Sequence, residues 1–177
     1  MRKFFIHLGF IFIIAGLSVI CVDKVSANIN DYYADINRSK EIYTAVESDY
    51  KEFVSSASGV KSHMVDVSDS LDVYLEEFPN KESLIVEKIQ VVDEDINSLK
   101  EISLRIIDNC KYELNNNAME NKCNNFILNY NRMIESYKVM VSEYNKVIDS
   151  YNNYKGKDVY KYYTGGVDYS IYDLIKK

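Results

Sequence analysis

Beyond residue 27, few groups could do chemistry: two cysteines, one histidine, a run of three carboxylates and a ladder of tyrosines. Cys110 and Cys123 lie on either side of Asn115-Asn116-Asn117, each on the apolar register of its own helical pattern. An antiparallel hairpin brings them together at its tip. In an oxidising compartment such a pair closes as a disulfide. The alternative is two small buried apolar residues that never pair. No metal site is expected, because no histidine and no second cysteine pair lies near. His63 adjoins Met64 and has no nucleophile or acid assigned to it by local motif. Asp93-Glu94-Asp95 would splay over about 200° of a helix, so the three carboxylates do not converge on one cation. They read as a solvated face, as do Glu76 and Glu77. There is no phosphate loop, dinucleotide fingerprint or metalloprotease motif. The chain is therefore expected not to be an enzyme, and to need no catalytic residue, metal or cofactor.

The tyrosines are the stronger signal. The chain has 16 Tyr against 7 Phe and no Trp, so Tyr must supply most of its aromatic packing. Tyr130, Tyr137, Tyr144 and Tyr151 recur every seven residues, and Asn131, Asn145 and Asn152 follow three of them. A buried Tyr hydroxyl needs a partner or water. The ladder is thus either a groove that accepts a helix, a peptide or a glycan, or a core edge whose hydroxyls reach solvent. Residues 156–177 hold a second concentration, Val159, Tyr160, Tyr162, Tyr163, Tyr169, Ile171, Tyr172, Leu174 and Ile175, around Gly165-Gly166. That is too apolar for a disordered end. The tail is expected to fold back over the tyrosine seam, or else to be an exposed docking segment. Tyr137, Tyr144, Tyr151, Tyr160, Tyr162 and Tyr163 are the candidate partner-binding residues.

Three helical patterns position these groups. From Met119 to Tyr154 the apolar positions Met119, Cys123, Phe126, Tyr130, Met133, Tyr137, Met140, Tyr144, Val147, Tyr151 and Tyr154 are spaced alternately by four and three. That 3.5-residue repeat marks helices that wrap around one another. Ile127, Ile134, Val141 and Ile148 widen the face beyond a two-stranded seam. The same repeat runs from Ile29 to Phe78, straight through Gly59. One helix over residues 28–78, about 75 Å long, is expected. The competing reading breaks it at Gly59 and gives four helices. Pro79-Asn80 holds the only proline beyond the leader and reads as the stop signal. Ile85, Ile89, Val92, Ile96, Leu99, Ser103, Ile106 and Cys110 then define a shorter middle helix of roughly 30 residues, and the three asparagines mark a loop. The fold class is all-α: an elongated antiparallel three- or four-helix coiled-coil-like bundle, residues 28–155, with a Tyr-rich tail packed on it. The first helix would project past the others, free to pair with a second copy.

Residues 1–27 read as an export signal. Arg2 and Lys3 precede an apolar run, residues 4–22, and Val25-Ser26-Ala27 offers a cleavage site before Asn28. Retained, the run is close to the ~20 residues of a membrane anchor. A lipidated Cys21 is disfavoured by Ile20 before it. Cleavage leaves about 150 residues, enough for one domain, and moves the net charge from −6 to −8 as Arg2, Lys3, Lys24 and Asp23 depart. That acidity argues against nucleic acid and against electrostatic hold on anionic lipid. The Lys, Asn, Ile and Tyr usage suggests an AT-rich, low-GC Gram-positive source, and the architecture resembles the small exported helical proteins of such bacteria. The expected function is a non-enzymatic binding or scaffold protein at the cell surface or in the wall space, with a protein or cell-wall partner. The rivals are a small-ligand sensor or carrier with a Tyr- and Met-lined cavity, and a released factor acting on other cells.

Overall fold

A computed structural model describes residues 2–112 and 116–175, with side chains described from Ile29 onward. The export signal and the apolar run 4–22 lie outside the described side chains. Among the described residues there is no strand, and from Ile29 onward no helix is long and apolar enough to cross a membrane. The chain is all-α, with five helices: α1 (Arg2–Ser70), α2 (Phe78–Ser98), α3 (Lys100–Cys110), α4 (Asn117–Lys155) and α5 (Ser170–Ile175). It divides into two compact units, residues 1–43 and residues 44–177.

In the second unit α1 passes Gly59 without interruption. It ends at Ser70, eight residues short of the expected Phe78. Ser and Asp compete with the helix for backbone hydrogen bonds, and Ser68-Asp69-Ser70 supplies three of them in succession. The Ser70 hydroxyl bonds back to the Asp66 carbonyl at 2.6 Å. Residues 71–77 then cross to α2, with Tyr74 fully out in solvent at 77% exposure. Pro79 does not stop a helix; it sits in the first turn of α2. There its missing N–H has no helical partner to lose, and its fixed φ suits the helix start.

The middle helix is two pieces. Leu99, with φ −72° and ψ −7°, separates α2 from α3. Its N–H bonds to the Ile96 carbonyl at 3.2 Å, a tight turn, and the Ser103 N–H resumes the helical pattern onto the Leu99 carbonyl at 2.9 Å. The Ser98 hydroxyl bonds to the Glu94 carbonyl at 2.7 Å, a pattern that bends helices. The break keeps both Ile96 and Leu99 buried.

Contacts fix the order of the helices. Asp49 and Glu52 meet Arg105, His63 meets Asp95, and Ser70 meets Lys88, so α1 and α2–α3 are matched in opposite order. Cys123 meets Cys110, Tyr144 meets Glu82 and Tyr151 meets Phe78, so α4 also runs opposite to α2–α3. Glu47, Tyr50 and Ser68 meet Lys122, Asn129 and Glu143 in the same order along α1 and α4. The core between them holds Phe53, Val60, Val67, Ile85, Ile89, Ile106, Phe126 and Ile134, all at most 1% exposed.

Helix α4 is capped at both ends. The Asn116 side chain accepts from the Ala118 and Met119 N–H groups, and Gly156, at φ +69°, closes a Schellman turn with Lys157 N–H on the Asn152 carbonyl. The strict 3.5 spacing does not hold to its end. Ile148 is fully buried while Val147 is only half-buried and Tyr154 is exposed. A straight helix drifts about 20° per heptad against that repeat, so the buried face moves one residue over.

Candidate functional site

The cysteine pair lies at bonding distance, S–S 2.00 Å, with Cα atoms 6.0 Å apart across the α3–α4 connection. Among the described residues no group of three His, Cys, Asp or Glu could hold a metal ion. His63 Nδ1 lies 2.6 Å from Asp95 Oδ2, with both side chains more than a third exposed. Asp66, Lys88 and Val91 complete that shallow surface recess.

The tyrosine ladder is core. Tyr130, Tyr137, Tyr144 and Tyr151 are each at most 4% exposed. Tyr137, Tyr144 and Tyr151, three of the candidate contact residues, therefore have almost no surface in solvent. The tail already covers them. Tyr160 packs on Phe78 and Tyr151 with ring centroids 5.3 and 5.4 Å apart, and Tyr163 meets Tyr144 edge-on at 6.3 Å. Val167, Ile171 and Tyr172 are buried beside them. Of the six candidates, Tyr160 and Tyr163 are half-buried, and Tyr162 alone is exposed, at 58%. Its hydroxyl bonds to Asp149 at 2.5 Å.

The backbone of residues 159–168 belongs to no helix or strand, so its polar groups need other partners. Three asparagine side chains provide them. Asn145 donates to the Tyr163 carbonyl and accepts from its N–H, at 2.9 and 2.8 Å. Asn152 donates to the Tyr160 carbonyl and accepts from the Val159 and Tyr160 N–H groups. Asn97 donates to the Gly166 carbonyl and accepts from the Asp168 N–H. Each amide clamps the tail as a neighbouring strand would. Asn145 and Asn152 follow Tyr144 and Tyr151 directly, so the sequence carried this signal beside the ladder.

Asp93 is the residue that sequence reasoning placed wrongly. It is 6% exposed and faces the tail, whereas its neighbour Asp95 faces His63. The Tyr163 hydroxyl donates to Asp93 Oδ2, while Asp93 Oδ1 is buried with no hydrogen-bond partner. The Tyr137 hydroxyl accepts from the Gly166 N–H at 3.3 Å. Burial, and then the neighbouring Asp93 carboxylate, push the Tyr137 and Tyr163 phenols well above their ordinary range. Burial and Glu82 do the same for Tyr144. At the tail's outer edge Lys100 bonds Asp168 at 2.8 Å, and that bond with the Ser170 N–H holds the Asp168 carboxyl down at about 2.

Against protein-family models, curated proteins and solved structures, the chain finds no match.

The surface left open is on the other side of α4, along α1. Two adjoining clefts of about 420 and 760 Å³ share Lys61, Met64, Arg132 and Ser136. Phe53, Met133 and Met140 form the floor, and Val54, Val65, Leu128 and Val139 line the rims with 43–57% of their surface in solvent. Val54 and Val65, like Leu128 and Val139, are eleven residues apart, about three helical turns, so each pair lies along one line of its helix. That spacing was readable from sequence, but Val54 and Val65 directly follow the core positions Phe53 and Met64 and were masked by them.

Proposed function

We propose that this chain is an exported, non-enzymatic binding or scaffold protein of the cell surface or wall space. Its helices form an antiparallel three-helix bundle of α1, α2–α3 and α4, with the tail as a fixed cover over the tyrosine seam. The partner, a protein or wall component, docks along α1 and α4. The observation that carries this reading is the apolar groove that stays open after the tail has filled the other one. Contiguous exposed apolar surface marks interaction sites, and a methionine floor adapts to a partner's shape. The disulfide supports an oxidising location. Membrane attachment follows only if residues 4–22 are retained as an anchor.

The test compares Val65→Asp with Val139→Asp and Tyr162→Ser in binding to purified cell-wall and membrane fractions of a Gram-positive host. Loss in both Asp variants with unchanged far-UV circular dichroism supports the groove. Equal binding by all three overturns it. Intact mass on the exported material locates the N-terminus at Asn28 or at Met1.

A second reading, a small-ligand carrier, rests on the smaller cleft. Its volume of about 420 Å³ suits a compact apolar ligand against Phe53, Met64 and Met133. A rise in melting temperature with an apolar compound, abolished by Met133→Asp, would favour it. No shift across a panel of such compounds counts against it.

A further inference from the structure

The charges along the α1–α4 groove select its occupant. The smaller cleft is lined by Lys61 and Arg132 and by no carboxylate. One cation comes from each helix, and both also line the larger cleft, so they stand where the two clefts join. Neither makes an ion pair or a hydrogen bond among the described residues. Arg105, by contrast, holds Asp49 and Glu52, and Lys100 holds Asp168. Acidic side chains outnumber basic ones by 27 to 21 in this chain, yet none reaches Lys61 or Arg132. Glu135 and Glu143 touch the larger cleft alone. Glu135 accepts from Lys138 and from the Tyr172 hydroxyl, and Glu143 accepts from the Ser68 hydroxyl. Positive charge is thus concentrated at the middle of an apolar groove on an acidic protein.

The rims decide the shape of what lies there. Val54 and Val65 on α1, and Leu128 and Val139 on α4, keep 43–57% of their surface in solvent. A single acyl chain laid on the floor of Phe53, Met64 and Met133 leaves both rims wet. A helix is about 10–12 Å across with its side chains and packs about 8–10 Å from its neighbours, so it covers floor and rims together. Eleven residues is close to three whole turns, so apolar side chains at that interval on an occupant helix stay on the rims along the groove. The stems of Lys61 and Arg132 add apolar wall while their charged ends remain at its edge.

We propose that this groove receives an amphipathic helix of a partner protein, with an acidic side chain of that helix seated between Lys61 and Arg132. The inference rests on the docking reading given above and names the partner's chemistry. The apolar face of the helix lies on the methionine floor, and its carboxylate accepts from the guanidinium and the ammonium together, a charge-assisted arrangement. A basic side chain at that place meets two like charges, which excludes the wrong helix as well as holding the right one.

The test uses the full exported chain and two labelled synthetic helices of about 18 residues, five turns each. Both carry Leu at alternate steps of three and four on an Ala and Gln background. One has Glu at the margin of the apolar face midway along, and its twin has Lys there. Fluorescence anisotropy should show the Glu helix binding about tenfold or more tightly than the Lys twin. Overall charge cannot produce that order, because a chain of net charge −6 attracts the Lys twin. The double variant Lys61→Glu with Arg132→Glu should reverse the preference; both side chains are exposed, and far-UV circular dichroism checks the fold. Equal binding of the twins, binding of neither, or a preference that survives the charge reversal overturns the proposal. So does displacement of the Glu helix by sodium decanoate at equal concentration, which would make the occupant a lipid carboxylate. In each of these cases the groove itself still stands if Val65→Asp abolishes binding to wall and membrane fractions. Unchanged fraction binding by Val65→Asp removes the docking surface and the helix with it.

Discussion

Tyr163 donates its hydroxyl to the buried carboxylate of Asp93, 70 residues earlier in the chain. The contact closes a layer in which Tyr137, Gly165 and Gly166 also take part, and it ties the tail to α2 as Asn145 and Asn152 tie it to α4. Asp93 Oδ1 has no hydrogen-bond partner. Removing the Tyr163 hydroxyl therefore leaves a buried carboxylate poorer still.

Tyr163→Phe should lower the unfolding free energy by about 1–3 kcal/mol, the usual cost of stranding a buried polar group. Urea unfolding measures it. The tail should also become the first site cut in limited proteolysis. An unchanged urea midpoint would mean that the bond adds nothing net to stability.

Two glycines in different settings should respond with opposite sign. A Cβ on Gly59 meets nothing within 4 Å, and the residue lies inside a regular helix. Gly59→Ala should stabilise by about 0.5–1 kcal/mol through helix propensity alone. A Cβ on Gly166 runs into the Asp93 carboxylate, which is itself buried and cannot swing away. Gly166→Ala should destabilise by about 1–3 kcal/mol. Thermal unfolding of the pair, run together, separates the two cases.

Stability should hold from neutral pH to about 10 and then fall. Burial pushes the Tyr130 phenol up to about 12 from its ordinary 10.0, and pushes Tyr137, Tyr144 and Tyr163 up as well. A folded-state value above the unfolded one means that the folded chain holds these protons longer. The contribution is complete below the unfolded value and is lost as pH rises through the folded one. Phenolate absorbance and circular dichroism followed in one alkaline titration should show the buried phenols ionising together with unfolding. Ionisation of all the tyrosines well before any loss of helix would contradict the burial.

Reduction should cost about 3 kcal/mol. The Cys110–Cys123 link closes a loop of sequence separation 13, and chain-entropy arguments give a value near that figure for so short a loop. The comparison is urea unfolding of the oxidised protein against the Cys110→Ser, Cys123→Ser double variant. The same helical spectrum before denaturant confirms that only stability has moved.

The sequence alone determined that the chain is helical, where α4 lies, and that Cys110 and Cys123 meet. Each of these rests on local spacing: a 3.5-residue repeat fixes a helix and its buried stripe, and a short loop between two such stripes fixes what faces what at its tip. Pro79 was misread because a proline is equally at home just after one helix or in the first turn of the next; the polar run Ser68-Asp69-Ser70 had to settle which. The break at Leu99 was invisible because it preserves the apolar register across it. Only the tertiary structure decided what the tyrosine ladder faces. A half-polar aromatic stripe suits a partner's groove and a tail's bed equally well, and the choice depends on residues 156–175 finding Asn97, Asn145 and Asn152 placed to accept their backbone. Asp93 followed the same logic. On α2 it differs from Glu94 and Asp95 only by 100° steps around the helix, and the sequence does not say which step points at Tyr163.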